Sequence, residues 1–479
     1  MNTKMILFFL GWVLNIEAIL MLLPCLIAVI FREISGFYIL GVALVSGLLG
    51  FIFTHKKPAN SVFYAKEGFV SVSLSWIVLS VFGALPFYLS GEIDGFENAL
   101  FETISGFTTT GASILTDVES LSRCMLMWRS FTHWIGGMGV LVFILAVLPL
   151  AGGYNIHIMR AESPGPAVGK LVPKVKTTAK ILYGIYLAMT ILQILLLLLG
   201  GMPWFDSIAL SFGTAGTGGF GVLNDSIASY NAYEQSVITI FMILFGINFN
   251  VYYLFLIRKP KDALRCEEAR TYLAIIFISI LLITWNIRGS FSSLVTAFRH
   301  AAFQVGSIIT TTGYSTVDFD VWPTFSKTIL VTLMFIGACA GSTGGGIKVS
   351  RVLIAFKAVK KELSSLVHPR SIRVLKLEGK GLEHNVVRSV NAFILAYIFI
   401  FILSMLIVSL DNMDFTSSFT AVAATFNNIG PGLGEVGPSR NFNGLSPLSK
   451  YVLMFDMLAG RLEVFPMLLL FSPGTWRKQ

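Results

Sequence analysis

Charge is what this sequence has least of. Only 13% of its 479 residues are Asp, Glu, Lys or Arg, and 55% are apolar, whereas soluble domains carry about 25% charged residues. Mean hydropathy is +0.76. A soluble domain is excluded, and the composition is that of a polytopic membrane protein. Cysteine is scarce too. Cys25, Cys124, Cys266 and Cys339 are scattered without metal-ligand spacing and read as packing residues. No Ser-His-Asp set, metal cluster or dinucleotide fingerprint stands in a usable setting, so an enzyme is not expected and no cofactor is implied.

The net charge of +9 would suit nucleic acid, but its placement argues against that partner. The bases sit in short connectors between apolar runs, which is the positive-inside pattern. Lys174, Lys176 and Lys180 mark one such connector, Arg258, Lys259 and Lys261 a second, and Lys357, Lys360, Lys361, Arg370 and Arg373 a third. The opposite faces carry acids, among them Glu92, Asp94, Glu97, Asp206, Asp318, Asp320, Asp411, Asp414 and Glu435. Both termini are therefore expected on the cytoplasmic side, with an acidic outer mouth that concentrates cations. Membrane lipid is the surrounding partner.

Long apolar runs supply the architecture. Met5–Ile30 and Gly36–Phe53 each reach the ~20 residues that a span needs. The first run is too long for a signal peptide and lacks a small-residue cleavage site, so a retained helix is expected. From Gly68 the order becomes helix, short segment, Gly/Thr stretch, helix, four times over. The paired helices are expected over Gly68–Ser90 and Met125–Leu150, Thr178–Leu199 and Gln235–Ile257, Tyr272–Trp285 and Thr328–Phe356, and Val386–Leu410 and Tyr451–Phe471. The units divide as residues 1–60 for two N-terminal helices, then 61–155, 156–265, 266–375 and 376–479 for the four repeats.

The recurring stretch is Thr108-Thr109-Thr110-Gly111, then Thr214-Ala215-Gly216-Thr217-Gly218, Thr310-Thr311-Thr312-Gly313 and Asn427-Asn428-Ile429-Gly430. Gly111, Gly218, Gly313 and Gly430 are taken as the central glycines, 107, 95 and 117 residues apart. Each preceding segment is too short to span, so its backbone must be buried in protein or line water. Four such re-entrant loops can close around one axis and replace an ion's hydration shell with carbonyls. The predicted ligand set is Thr109, Thr110, Gly111, Gly216, Thr217, Gly218, Thr311, Thr312, Gly313, Asn428, Ile429 and Gly430. Oxygen ligands without fixed carboxylates suit a monovalent cation better than calcium or magnesium. Gly213 and Gly216 make the second stretch glycine-rich, which predicts a looser filter there.

Two features break the later helices. Gly337 to Gly346 carries too much glycine to stay helical, at about 1 kcal/mol for each glycine relative to alanine. A nucleotide P-loop is not met there, since Lys348 follows Ile347 rather than a glycine. Gly341, Ser342, Thr343, Gly344, Gly345 and Gly346 read as a mobile loop below the filter, with tight helix packing as the alternative. Arg461, deep in the last apolar run, costs about 2.5–3.5 kcal/mol to insert. It either pairs with Glu463 or Asp456, or stands in the pore as a barrier to cations and gates with the glycine loop. Asn248 and Asn250 face a cavity or bond between helices, Glu17 and Asn15 serve packing, and Arg129 and His133 are expected to snorkel.

These residues, with Gly218-Gly219-Phe220, Gly344-Gly345-Gly346-Ile347-Lys348 and Gly460-Arg461-Leu462-Glu463, resemble the TrkH/TrkG/KtrB potassium-uptake family, and within it the TrkH branch. The resemblance covers nearly the whole chain. It implies an all-α, potassium-channel-like pore built of two N-terminal helices and four M1-P-M2 repeats, one pore per chain, and pairing as a homodimer. It also implies passage of potassium and rubidium, a cytosolic nucleotide-binding TrkA-type partner, and a bacterial cytoplasmic (inner) membrane location. Glycine at all four central positions resembles the potassium-preferring pattern. A sodium- or proton-coupled symporter on the same scaffold and a less selective cation channel are the alternatives. An inverted-repeat carrier is disfavoured because all four units enter from one side.

Overall fold

The computed structural model describes residues 1–58, 64–147, 175–369 and 374–476. Of the bases that the sequence places in cytoplasmic connectors, Arg160, Lys170, Lys174, Arg370 and Arg373 lie outside these residues, as does the stretch Gly165 to Lys174. Three helices open the chain: α1 (Thr3–Leu20), α2 (Leu22–Phe31) and α3 (Ser35–Thr54). The first two make one span, interrupted only at Met21. Small residues let α1 and α3 close on each other. A β-carbon on Gly11 would stand 3.0 Å from the Gly50 carbonyl oxygen, which leaves room for nothing larger.

Four units of the same order follow. The first holds α4 (Ala65–Leu89), α5 (Phe96–Phe107) and α6 (Arg123–Val147). The second holds α7 (Val175–Leu199), α8 (Trp204–Gly216), α9 (Ala232–Phe245) and α10 (Phe249–Leu256), trailed by the short α11 (Pro260–Arg265). Next come α12 (Glu267–Ile287), α13 (Leu294–Ile309), α14 (Thr324–Ile336) and α15 (Val349–Val367). A two-stranded antiparallel hairpin, β1 (Lys376–Leu377) with β2 (Lys380–Gly381), leads to the last unit. That unit holds α16 (His384–Val408), α17 (Phe415–Phe426), α18 (Pro447–Arg461), α19 (Phe465–Phe471) and α20 (Pro473–Trp476).

The short helices explain the packing. α5, α8, α13 and α17 have 12, 13, 16 and 12 residues, so at 1.5 Å per residue each falls short of the ~30 Å hydrocarbon core. Their backbones are shielded by protein instead, and Phe101, Phe107, Phe303 and Phe426 on them are fully buried. Outward-facing Leu44, Leu199, Phe277 and Phe399 are exposed, as a lipid-facing belt requires. Side-chain caps fix two of the starts. Ser293 Oγ accepts from Thr296 N–H at 3.1 Å, and Asp414 Oδ2 from Ser417 N–H at 3.1 Å.

Six helices among the described residues are long and apolar enough to cross a membrane alone. The second helices of the last three units are all broken. The break at Gly337–Lys348, between α14 and α15, matches the expectation from its glycines. The expected single helix over Gln235–Ile257 is not found: α9 and α10 meet at 89°. Gly246 allows the close approach of Tyr272 there, and Asn248 Oδ1 caps α10 by accepting from Asn250 N–H at 2.9 Å. In the fourth unit the chain breaks after Arg461, with Glu463 at φ +58° and Val464 at φ +68°. A β-branched residue at positive φ is costly, and its surroundings must hold it.

The candidate ion pathway

The four Gly/Thr stretches repeat one backbone conformation. Thr109, Thr217, Thr311 and Asn428 are left-handed, at φ +55°, +55°, +61° and +55°. Two residues on, Gly111, Gly219, Gly313 and Gly430 are left-handed again, at +79°, +81°, +86° and +98°. The hydrogen bonds repeat as well. The N–H groups of Thr110, Gly218, Thr312 and Ile429 donate to Ser105, Gly213, Ser307 and Ala424 oxygens at 2.8–2.9 Å. This moves the expected register of the second copy by one residue. Its counterpart of Gly111 is Gly219, not Gly218, and Gly216 is the last residue of helix α8. Thr217-Gly218-Gly219 therefore stands where Thr109-Thr110-Gly111 stands.

The four copies close into a ring. A β-carbon on Gly111 would strike the carbonyl of Gly218, one on Gly219 that of Thr312, one on Gly313 that of Ile429, and one on Gly430 that of Thr110. Each copy thus packs against the next, and the fourth returns to the first. Carbonyls of equivalent residues meet around one axis. The C-terminal ends of α5, α8, α13 and α17 lead into this ring, placing the negative ends of their dipoles beside it. Hydroxyls bond within the copies: Thr108 and Thr110 Oγ1 lie 2.8 Å apart, and Thr310 and Thr312 Oγ1 2.7 Å apart. Asn428 Nδ2 donates to Thr110 Oγ1 at 2.9 Å.

Every junction of the ring is braced. Between the first two copies, His133 Nδ1 lies 2.7 Å from the Gly106 oxygen and Nε2 accepts from Phe220 N–H at 3.2 Å. That pattern fits the neutral Nδ1–H tautomer. Arg129 pairs with Glu102 at 2.6 Å, donates to Gly221 O at 3.0 Å, and stacks 3.5 Å over the Phe220 ring. Glu102 also accepts from Ser113 Oγ and Ile114 N–H. Tyr314 Oη reaches back from the third copy to Leu210 and Phe220 oxygens. Gly434 N–H donates to Asp320 across the third junction at 3.1 Å, and Phe442 N–H to Ser113 O across the fourth at 2.8 Å. Arg129 and His133 do not snorkel, as both are buried. The second copy is not loose either. A β-carbon on Gly213 would meet the Tyr314 hydroxyl, and one on Gly216 the His133 carbonyl, so these glycines serve close packing.

Below the ring lies the glycine loop. Gly345 N–H donates to Thr311 Oγ1 at 2.6 Å, and Thr343 Oγ1 to Phe245 O at 3.3 Å. A β-carbon on Gly345 would meet Asn427 and Asn428, so the loop touches the third and fourth copies from beneath. Cys339 N–H donates to Gly246 O, and Phe249 N–H to Gly341 O, both at 3.1 Å. The break in the second unit thus cradles the loop of the third. Arg461 reaches across: Nη1 donates to Thr343 O at 2.7 Å and Nη2 to Gly136 O at 2.8 Å. Glu463 pairs with Arg351, and Asp456 accepts from Ser404 Oγ at 2.7 Å. Asn248 lies at the cradle, its Nδ2 3.5 Å from Glu268.

Four repeats of a long helix, a pore helix and a second helix, closed on a backbone-lined axis, define the class: a membrane protein of the M1-P-M2, potassium-channel-like architecture. The family model described as TrkH, cation transport protein, matches residues 34–477. The chain belongs to the TrkH family, whose members are transporters and not enzymes. It is 38% identical over 466 residues to the Trk system potassium uptake protein TrkH of Salmonella typhimurium, covering 96% of each chain. It is 37% identical to the protein of the same name from Vibrio parahaemolyticus, covering 100% of both. The crystal structure of the potassium transporter TrkH from Vibrio parahaemolyticus superposes with a TM-score of 0.90 at 34% identity, covering all of both chains.

Proposed function

We propose that this chain is the membrane pore subunit of a Trk-type uptake system, passing potassium and rubidium through a filter of backbone carbonyls. The closed ring carries this reading: Gly111, Gly219, Gly313 and Gly430 each seat against the carbonyl before the next copy's glycine. An ion entering it exchanges water for carbonyl and hydroxyl oxygens. The ligands are Thr109, Thr110, Gly111, Thr217, Gly218, Gly219, Thr311, Thr312, Gly313, Asn428, Ile429 and Gly430. Outer acids concentrate cations at the mouth. The loop Gly341–Gly346 and Arg461 together form the gate, the arginine adding a positive barrier beneath the ring. The basic connectors support a bacterial inner-membrane orientation with cytoplasmic termini. They also offer docking surfaces to a TrkA-type nucleotide-binding partner, and two chains pair as a homodimer.

The test is uptake of radioactive rubidium into proteoliposomes holding the purified chain, with potassium, sodium and choline as competitors. Block by potassium and not by sodium supports the reading. Equal block by sodium would replace it with a general cation pathway.

One observation favours a second reading, proton-coupled symport. Glu17 is buried in α1, and neither of its carboxyl oxygens has a hydrogen-bond partner among the described residues. It lines a cavity with Trp76, Phe107 and Gly136, next to the end of the first pore helix. Intramembrane acids of this kind are common in proton relays. Uptake driven by an imposed pH gradient, and lost in Glu17→Gln, would favour it.

A further inference from the structure

The glycine loop is held at its tip by Arg461 and Thr311. Its base is held by a residue from a different helix. Glu268, in the first turn of α12, is buried. Its Oε1 accepts from Ala340 N–H at 2.7 Å and from Ser350 N–H at 3.1 Å. Ala340 lies where the chain has just left α14, and Ser350 where it enters α15. One carboxylate oxygen therefore ties together the two strands of chain that carry the loop. The other oxygen receives Asn248, at the break that cradles the loop. Backbone N–H groups at an irregular break in a membrane helix need acceptors, and a carboxylate is the strongest one a side chain offers.

Glu268 is itself positioned from outside the helix bundle. Glu378, exposed in the turn of the β1–β2 hairpin, accepts from Glu267 N–H at 2.8 Å, Glu268 N–H at 3.2 Å and Cys266 Sγ at 3.4 Å. Glu378 N–H donates back to Glu267 at 3.3 Å. The hairpin thus supplies the cap that α12 lacks locally. Lys357 of α15 pairs with Glu267 and donates to Lys376 O at 3.0 Å, fastening the hairpin to the helix that follows the loop.

We propose that Glu268 is the positioning residue of the gate, and that the hairpin, through Glu378, sets where Glu268 stands. The inference rests on the reading of the glycine loop as gate. Removing the carboxylate frees both shoulders of the loop. Removing Glu378 has the same effect from a site that touches neither loop nor pore.

Cys339 supplies the readout, because it lies within the loop and is fully buried. In the full chain carrying Cys25→Ser, Cys124→Ser and Cys266→Ser, it is the remaining thiol. Its rate of modification by a small methanethiosulfonate reports loop release, and rubidium uptake reports gating. Glu268→Ala should raise the modification rate on the order of tenfold, the loss of charge-assisted bonds to two N–H groups, and raise uptake with it. Glu378→Ala should raise both by less. Glu268→Gln, which keeps an acceptor oxygen in place, should stay near the parent. Parental modification rates in Glu268→Ala protein that elutes and melts like the parent would overturn the proposal. If Glu268→Ala does not fold, Glu378→Ala on the exposed hairpin decides, and a parental rate there would overturn it equally. Faster modification with unchanged uptake would leave Glu268 as the clamp and remove the gating reading of the loop.

Discussion

Arg461 donates to the Thr343 carbonyl at 2.7 Å. A residue of the fourth unit thereby holds the glycine loop of the third, while its other nitrogen holds Gly136 of the first. In the proposed gate, barrier and loop are then a single device, because one guanidinium supplies the positive charge and fastens the segment beneath the ring.

Replacing the arginine should therefore release both at once. Each hydrogen bond from a charged donor contributes about 1.5–3 kcal/mol, so Arg461→Gln should raise rubidium uptake on the order of tenfold or more. Arg461→Lys offers a point charge without the planar fork that spans two carbonyls, and should fall between. Uptake is measured in proteoliposomes at matched reconstitution. Parental flux and regulation in folded Arg461→Gln protein would remove the arginine from the gate.

The register of the second filter copy makes a separate prediction. Gly219 is left-handed and seated against Thr312 O, as Gly111 is against Gly218 O. A non-glycine residue costs about 1–2 kcal/mol in this conformation, and its β-carbon must also displace the Thr312 carbonyl. Gly219→Ser should therefore weaken the preference for potassium over sodium about as much as Gly111→Ser, on the order of tenfold. Competition by sodium in the rubidium assay measures it. Undiminished selectivity in Gly219→Ser would return the central position to Gly218.

The Glu102–Arg129 pair is buried on both sides. Breaking such a pair by removing one partner costs about 3–5 kcal/mol, since the remaining charge is left unpaired. Arg129→Met should lower the melting temperature and disturb selectivity together, because Arg129 also holds Gly221 and Ser113 of two adjacent copies. Arg129→Lys should lose stability too, for a lysine cannot reach three acceptors and stack on Phe220 at once. Thermal melts with and without potassium would check this. A selective, normally melting Arg129→Met protein would show the brace to be dispensable.

At the start of α17, hydrogen bonding to Ser417 holds the Asp414 carboxyl below the ordinary aspartate range. A group depressed in the folded state stabilises it above the unfolded value of about 3.9, and that contribution is lost as pH falls further. Asp414→Ala should cost about 1 kcal/mol of helix capping at neutral pH. The difference from the parent should shrink only below about pH 4. Paired melts across pH would detect it, and a difference that vanished between pH 8 and pH 5 would contradict the assignment.

Much of this architecture was legible in the sequence, because it is written in extended patterns. Apolar runs, alternating loop charge and four Gly/Thr stretches gave the repeats, and the density of glycine after Ile336 gave the loop. Single residues were harder. Gly218-Gly219 offers two placements for one left-handed glycine, and only the ring contacts choose between them. Gly246-Ile247-Asn248 is a brief interruption in an apolar run, and its 89° bend depends on Tyr272 and on the loop it cradles. Arg129 and His133 looked like helix-end polarity because their partners lie 16 to 92 residues away in the chain. The signal for them was the presence of ionisable side chains beside pore segments, which in a membrane need a partner.

The central claim is that a monovalent cation sits inside the ring of carbonyls from Thr110, Gly218, Thr312 and Ile429. Crystals of the protein soaked in rubidium, with anomalous diffraction collected at the rubidium edge, test it most directly. The account predicts anomalous peaks on the axis between those four residues, displaced by excess potassium and unaffected by sodium. Peaks elsewhere in the bundle, with none on that axis, would contradict it.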